Sequence, residues 1–300
     1  MPLNSEGNGN NPPAIDIAAV VVWYNPTEQF VSNILTYQPY CKKIYIIDNS
    51  ETQDNSQLAK RVPQSQYLWN HGNLGIAKAL NQGCQQAMDD GFKWVMTMDQ
   101  DSSWDANHIQ EFLKRVRANR DSCIVSFAPT IDETQAATST LGKMKRILFQ
   151  MNKSNVATSL FVDRVITSGN IISLDVWESI GRFYEPLFID EVDYEFCYRL
   201  RNKGYHIVRY SETCIHQTLG KPIRKFFPSP NYHGVRCYYI SRNMLFVCEN
   251  FPKYAKEFHY RSFLNKLWFY NLLNGKIENL KFLHRGRKAF LLKQMGKYRF

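Results

Sequence analysis

Residues 17–23 (IAAVVVW) are apolar without interruption, and the chain then turns polar at Tyr24-Asn25-Pro26. An unbroken apolar run of that length, rich in Val, predicts a strand buried on both faces of a parallel sheet. Pro26 opens a predicted helix that runs through Tyr37. A second apolar run, Ile44 to Ile47, stops at Asp48-Asn49-Ser50, and Tyr67 to Trp69 predicts a short third strand. From Leu74 to Met88 small and apolar residues recur at helical spacing and end before Gly91. Trp94 to Met98 predicts another strand, halted by Asp99-Gln100-Asp101. A helix over Asp105 to Arg120 and a strand over Cys123 to Ala128 follow. Strand and helix alternate throughout, which predicts an α/β fold with a doubly wound, mostly parallel sheet.

The rhythm loosens over residues 131–156, a polar stretch expected to form a mobile loop. Two shorter strands are predicted at about 158–163 and 165–174. A helix over Asp193 to Asn202, closed by Gly204, and an extended segment at 207–216 come next. From Tyr232 onward the pattern is helical. The first 13 residues are polar and read as a disordered lead-in with no secretory signal. The chain therefore divides into a lead-in (1–13), an α/β domain (14–230) and a helical C-terminal region (231–300).

Charge changes the picture at one end. Residues 251–300 hold 12 basic and 2 acidic residues, so the net charge of +10 lies there and residues 1–250 are neutral. The same 50 residues carry 12 of the 42 aromatics. Interleaved basic and aromatic residues on helices predict a surface lying on an anionic membrane, each basic residue contributing about 1 kcal/mol. The ordinary alternative packs these aromatics on the preceding domain and leaves the charges solvated. No apolar run reaches the roughly 20 residues that span a bilayer. Seven scattered cysteines without a CxxC pair argue against a zinc site or a disulfide framework, and fit a reducing cytoplasmic compartment.

Candidate chemistry follows from the strand ends, because open parallel sheets bind ligands beyond their carboxyl edges. Carboxylates stand there at Asp48, at Asp99 and Asp101, and in the cluster Asp190, Glu191, Asp193, Glu195. No GxGxxG follows the first strand and no GxxxxGK[ST] occurs, which excludes the usual dinucleotide and P-loop cradles. Two carboxylates one residue apart supply hard oxygen ligands for Mg²⁺ or Mn²⁺, although such residues also cap helices and turns. Asp48-Asn49-Ser50 is ordinary turn chemistry, or a carboxylate facing a nucleotide base. Asn73 is either a helix cap or, with Lys78 a turn later, part of an anion site. Four carboxylates in six residues repel one another, which suits a catalytic base with a tuned pKa. His216 is ordinarily a satisfied loop histidine.

The ordered set VVVWYN (20–25), IDNS (47–50), NLGIAKALNQG (73–83) and TMDQDS (97–102) resembles the family-2 glycosyltransferases of GT-A fold. Residues 167–205 (TSGNIISLDVWESIGRFYEPLFIDEVDYEFCYRLRNKGY) and IHQTLG (215–220) continue the likeness, most closely to the rhamnosyltransferase branch. The resemblance implies that Trp23, Tyr24, Asn25 and Asp48 hold the nucleotide, with Asn73, Lys78, Asp99, Gln100 and Asp101 near the donor. It implies Asp101, with His216 as a further ligand, for Mg²⁺ or Mn²⁺. Ser168 and Gly169, with Asp190 and Glu191, border the acceptor. The family's base lies six residues before an arginine, and counting back from Arg199 gives Asp193, leaving Glu191 and Asp190 as competitors.

The implied activity is inverting transfer of a sugar, best L-rhamnose from dTDP-L-rhamnose, to a hydroxyl of a saccharide acceptor during cell-surface polysaccharide or O-antigen assembly. A lipid-linked acceptor at the cytoplasmic face of the inner membrane would give the basic tail a purpose. Another donor such as a UDP-sugar, or sugar nucleotidyl transfer, is the alternative. Nucleic-acid binding through the tail leaves the neutral body and its ordered carboxylates unexplained.

Overall fold

The computed structural model describes residues 16–132, 159–217 and 233–299. The lead-in, most of the 131–156 stretch and residues 218–220 of the IHQTLG motif lie outside the described residues. Strands β1 (Ile17–Trp23), β2 (Lys43–Asp48), β3 (Ser65–Trp69) and β4 (Trp94–Asp99) are mutually parallel, in the spatial order β3-β2-β1-β4. β5 (Ser102–Trp104), β6 (Ile124–Asp132), β7 (Ser159–Val162), β8 (Asn170–Ser173) and β9 (His206–Gln217) extend the sheet as β4-β8-β6-β9-β5, with β7 also on β9. β8 is antiparallel to both its neighbours, and β5 and β7 are antiparallel to β9, so six of the nine strands run one way. The α/β, mostly parallel sheet expected from the apolar runs is what forms.

The central strands β1, β2 and β4 are covered on both faces, which is why they read as nearly unbroken apolar runs. Ile17, Ala19 and Val21 of β1 pack with Val31 and Ile34 of α1 (Glu28–Leu35), and with Phe112 and Val116 of α4 (Ala106–Ala118). The alternate residues Ala18 and Val20 pack with Leu80 and Cys84 of α3 (Ile76–Asp89), and with Phe196 and Leu200 of α6 (Val192–Asn202). Two short helices, α2 (Ser56–Ala59) and α5 (Leu174–Ser179), fall where no helix is predicted. The strand expected over 165–174 shrinks to β8, because the chain turns sharply at Gly169, whose φ is +77°.

The C-terminal region forms α7 (Val235–Asn250), α8 (Pro252–Glu257), α9 (Tyr260–Leu273) and α10 (Ile277–Leu291). Tyr238, Tyr239, Val247, Tyr254, Tyr260 and Leu267 build a third core that takes in Phe188 and Tyr198 from the preceding α/β part. α10 crosses α7 so closely that a Cβ on Gly286 would lie 2.2 Å from the Tyr238 carbonyl oxygen. This region is part of the same packed body, not a detached tail.

Candidate active site

The chain leaves β1 for β2 and β3, then returns to β4 on the other side of β1. That reversal opens a crevice at the carboxyl ends of β1 and β4. Its two lips are tied together: Tyr24 N donates to Gln100 Oε1 (2.8 Å), and Gln100 Nε2 donates to the Tyr24 carbonyl (3.2 Å). A cavity of about 910 Å³ opens there, with Tyr24, Asn49, Asn73, Asp99, Gln100 and Asp101 on its walls. Thr167, Asp190, Glu191, Asp193, Gln217 and Arg236 complete it.

Asp99 ends β4 and is held from two sides. Its Oδ2 accepts from Ser168 Oγ (2.5 Å) and from Gln217 Nε2 (3.2 Å). The same Gln217 amide reaches Asp101 Oδ1 at 3.4 Å, so one donor serves both carboxylates. Burial pushes Asp99 up to about 6, with the nearby Asp101 charge adding to the effect. Burial also raises Asp101. Two hard carboxylates in mutual repulsion form half a site for a divalent cation. Mg²⁺ and Mn²⁺ commonly bind through one or two carboxylates and complete their shell with phosphate and water oxygens. Among the described residues no cluster of three or more His, Cys, Asp and Glu offers a closed protein cage. The residues present therefore fit a cation shared with a phosphorylated ligand.

The acidic wall comes from the segment leading into α6. Phe188 (φ +69°), Asp190 (φ +61°) and Glu191 (φ +66°) all take left-handed backbone, a conformation that costs about 1–3 kcal/mol each. The C-terminal helices impose it. Asn243 of α7 donates through Nδ2 to the carbonyls of Leu187 (3.0 Å), Ile189 (2.7 Å) and Asp190 (3.0 Å). Arg242 donates to the Leu187 carbonyl (2.8 Å) and the Pro186 carbonyl (3.2 Å). Gly75, ahead of α3, fits under this segment only because it lacks a side chain. A Cβ there would stand 2.7 Å from the Phe188 carbonyl oxygen, at a φ of +88°.

The three competing carboxylates differ in their surroundings. Asp190 is paired with Arg236 (Nη2 to Oδ1, 2.9 Å). Glu191 accepts from the Tyr260 hydroxyl, and burial pushes it up to about 8, the neighbouring Asp193 charge adding to this. Asp193 accepts from the Tyr194 amide (2.9 Å), and burial followed by the Asp99 charge pushes it up to about 7.

Several expected residues stand elsewhere. Trp23 is wholly buried, its ring centroid 6.4 Å from that of Tyr67, because strand alternation turns Val22 toward the cavity and Trp23 into the core. Asp48 is also fully buried. Its carboxylate accepts from Ser50 N, Asn55 Nδ2 and Tyr67 Oη, each at 2.8 Å, and Asn49 is the β2-end residue facing the cavity. Asn25 binds Ser50 Oγ through its amide (2.8 Å) and, like Asp48, is absent from the walls. Lys78 points to Glu185 (3.5 Å) outside the cavity. Gly169 is buried behind Thr167, and Ser168, which holds Asp99, lines a neighbouring cavity in place of this one. His216 meets Asp105 at 2.8 Å, since its neighbour Gln217 takes the face toward Asp99 and Asp101.

Gln217, Arg236, Asn243 and Tyr260 are site residues that sequence reading missed. Two signals were available: Gln217 stands beside His216 in the IHQTLG motif, and the Arg242-Asn243 pair interrupts the largely apolar stretch 237–248. Arg199 is not at the site: it donates two hydrogen bonds to the Glu195 carboxylate (2.7 and 2.8 Å) and one to the Ile180 carbonyl (2.6 Å). It fixes the register of α6 and therefore where Asp193 points.

Known proteins share this fold. The crystal structure of GalNAc-T7 with UDP, GalNAc and Mn²⁺ superposes with a TM-score of 0.54 over 70% of this chain, at 14% identity, and this chain spans 45% of that one. That likeness establishes the GT-A architecture. The dTDP-rhamnosyl transferase RfbF of Shigella flexneri is 26% identical over 236 residues, covering 76% of this chain and 78% of the relative. Residues 20–167, which run from β1 through both carboxylates of β4 and its following turn to Thr167, match the family model "Glycosyl transferase family 2". The chain thus carries a glycosyl transferase family 2 domain over residues 20–167 and is a glycosyltransferase, similar in sequence to a rhamnosyl transferase.

Proposed function

We propose that this enzyme moves L-rhamnose from dTDP-L-rhamnose to a hydroxyl of a saccharide acceptor in cell-surface polysaccharide or O-antigen assembly, with inversion at the anomeric carbon. The sequence relationship to a dTDP-rhamnosyl transferase supports the donor. One observation carries the chemistry: Asp193 and the Asp99–Asp101 pair line one cavity, near enough for the Asp99 charge to raise Asp193.

In this reading the nucleotide lies in the β1–β4 crevice against Tyr24, Asn49 and Asn73. Buried Asp48 keeps the β2-end turn in shape through Ser50, which in turn holds the Asn25 amide. Asp101, with Asp99 behind it, would hold Mg²⁺ or Mn²⁺, which when bound neutralises the charge that builds on a leaving diphosphate. Asp193 accepts the proton of the attacking acceptor hydroxyl. It is the fittest of the three carboxylates, because Asp190 is spent on Arg236 and Glu191, pushed higher, keeps its proton near neutral pH. One base and one departing diphosphate make a single displacement, hence inversion.

The acceptor in this reading is lipid-linked and is met at the cytoplasmic face of the membrane. Exposed Trp268, Phe269, Leu272 and Leu273 on α9 and Leu291 after it support contact with that surface. No helix among the described residues is long and apolar enough to cross a membrane.

Asp193→Asn should leave dTDP-L-rhamnose binding nearly intact and lower turnover about a hundredfold or more, the scale of general-base catalysis. Asp101→Ala should weaken donor and Mn²⁺ binding together in calorimetry. Undiminished turnover of Asp193→Asn at saturating donor removes the base from this scheme. A UDP-sugar that stabilises the protein against heat more than dTDP-L-rhamnose does would overturn the donor.

A further inference from the structure

A second cavity of about 500 Å³ adjoins the first and shares Ile131, Ile166 and Tyr194 with it. Two arginines line it. Arg164 lies between β7 and β8, and Arg209 is in β9 opposite Leu160 of β7 and Ala128 of β6. The Arg164 guanidinium is clasped by aromatic rings, 3.7 Å from the centroid of Phe258 and 4.3 Å from that of Tyr194. Its Nη1 donates to the hydroxyls of Tyr198 (3.2 Å) and Tyr260 (3.1 Å). Arg209 donates to the Arg164 carbonyl through Nη2 (3.2 Å).

Among the described residues neither arginine has a carboxylate within ion-pair distance; Glu191 feels the Arg164 charge but stands one hydroxyl away, beyond Tyr260, so Arg209 is the less compensated of the two. Asp163 on the same wall is committed to Arg201 (2.9 Å), and Glu257 sits at the exposed rim. Each guanidinium carries five N–H donors, so most of those on Arg209 lack a protein acceptor. Burial depresses Arg209, and the Arg164 charge depresses it further. Two half-buried like charges beside each other are unfavourable unless an anion joins them.

We propose that this cavity is an acceptor subsite for a saccharide bearing an oxyanion, a phosphate ester or a carboxylate, held by Arg164 and Arg209 while the reacting hydroxyl faces Asp193. Tyr194, adjacent to Asp193 in sequence and shared by both cavities, forms the floor between the two ends of such a ligand. The arginines set which acceptor is taken, and Arg164 is pre-oriented by its aromatic clasp. The subsite rests on the transferase reading above.

Saturation-transfer NMR on the full chain, with the donor site filled by dTDP and Mg²⁺, tests it with glucose 1-phosphate, glucuronate and neutral methyl glucoside. At least one anionic sugar should bind about tenfold or more tightly than methyl glucoside, the scale of one charge-assisted contact. The tighter anion shows whether phosphate or carboxylate is preferred. Arg209→Met should weaken that anion about tenfold while dTDP affinity holds within about twofold, and Arg209→Lys should recover most of the loss. Equal binding of the neutral sugar, no binding of either anion, or an unchanged affinity in Arg209→Met overturns the subsite. The wild-type comparison stands even if a variant fails to fold. Failure to bind dTDP sinks the dTDP-L-rhamnose donor reading instead, so the two failures are distinguishable.

Discussion

Asp190, Glu191 and Asp193 are separated by at most three positions in the chain, yet their surroundings give them three different tasks. Burial raises both Glu191 and Asp193, so the protonation of each bears on stability, and Glu191 can be changed without touching the proposed base. The Glu191 pKa in the folded protein is raised to about 8 by burial, above the ordinary glutamate value. The folded state therefore holds this proton more tightly than the unfolded chain does. Stability linked to Glu191 is full below the unfolded value and is lost as pH climbs toward and through about 8. Glu191→Gln, which still accepts from Tyr260, should thus gain stability relative to wild type as pH rises from 5 to 8.5. Thermal melts of the metal-free protein at both pH values measure this, and a difference that does not change with pH contradicts it. Asp193 was legible at this scale because the arginine six positions on marks a register, although the arginine itself serves Glu195. The orientations of Trp23, Asp48 and His216 were not legible. A strand end reverses direction within one residue, and nothing in composition says which neighbour faces the ligand.

At the scale of elements, the parallel half of the sheet was readable and the remainder less so. β1, β2 and β4 are buried on both faces, and so they announce themselves as unbroken apolar runs. β5 is three residues and β8 is four, too short for any period to emerge. The part played by α7 was equally hidden, since its contribution is made by two polar side chains in a buried position. Asn243 is fully buried and serves three carbonyls of the acidic segment. Asn243→Leu keeps the volume but removes those donors, leaving carbonyl oxygens in a dry interior. The expected cost is about 2 kcal/mol or more, since each unsatisfied buried polar group costs roughly 1–3 kcal/mol. Turnover should fall more than donor affinity, because the segment carries Asp190 and Glu191 and leads into Asp193, while the nucleotide crevice is built from β1 and β4. Urea unfolding together with steady-state kinetics provides the check. Equal losses in donor affinity and turnover would show that α7 supports the whole cavity and not the acidic wall in particular.

For the molecule as a whole, the lopsided charge of the chain becomes a lopsided surface. Of the C-terminal aromatics, Tyr254, Tyr260 and Phe282 are buried against the body, as the packing alternative held, whereas Trp268 (48% exposed) and Phe269 (56%) are left outside. The packing alternative therefore holds for the buried set, and a membrane contact would have to be made by the exposed one. A groove of about 780 Å³ between α7, α9 and α10 includes Trp268, Phe269, Arg261, His284 and Arg287 in its walls, so apolar and basic groups share one face. Removing residues 251–300 is a poor test of membrane contact, because it also removes Tyr260 from Glu191 and Gly296 from Arg242. Point changes at exposed positions separate the two effects. Trp268→Ser with Phe269→Ser removes apolar surface that touches little else, so melting temperature and donor binding should hold. Two aromatic side chains leaving an interface at roughly 1.5–3 kcal/mol for full burial should reduce vesicle binding about tenfold or more, even if only half of that burial occurs. Flotation with vesicles containing anionic lipid measures the loss, and a parallel series at rising salt separates the contribution of the 12 basic residues, which ions screen, from that of the aromatics, which they do not. If the double variant floats as well as wild type at every salt concentration, the exposed apolar face of α9 is not what meets the bilayer.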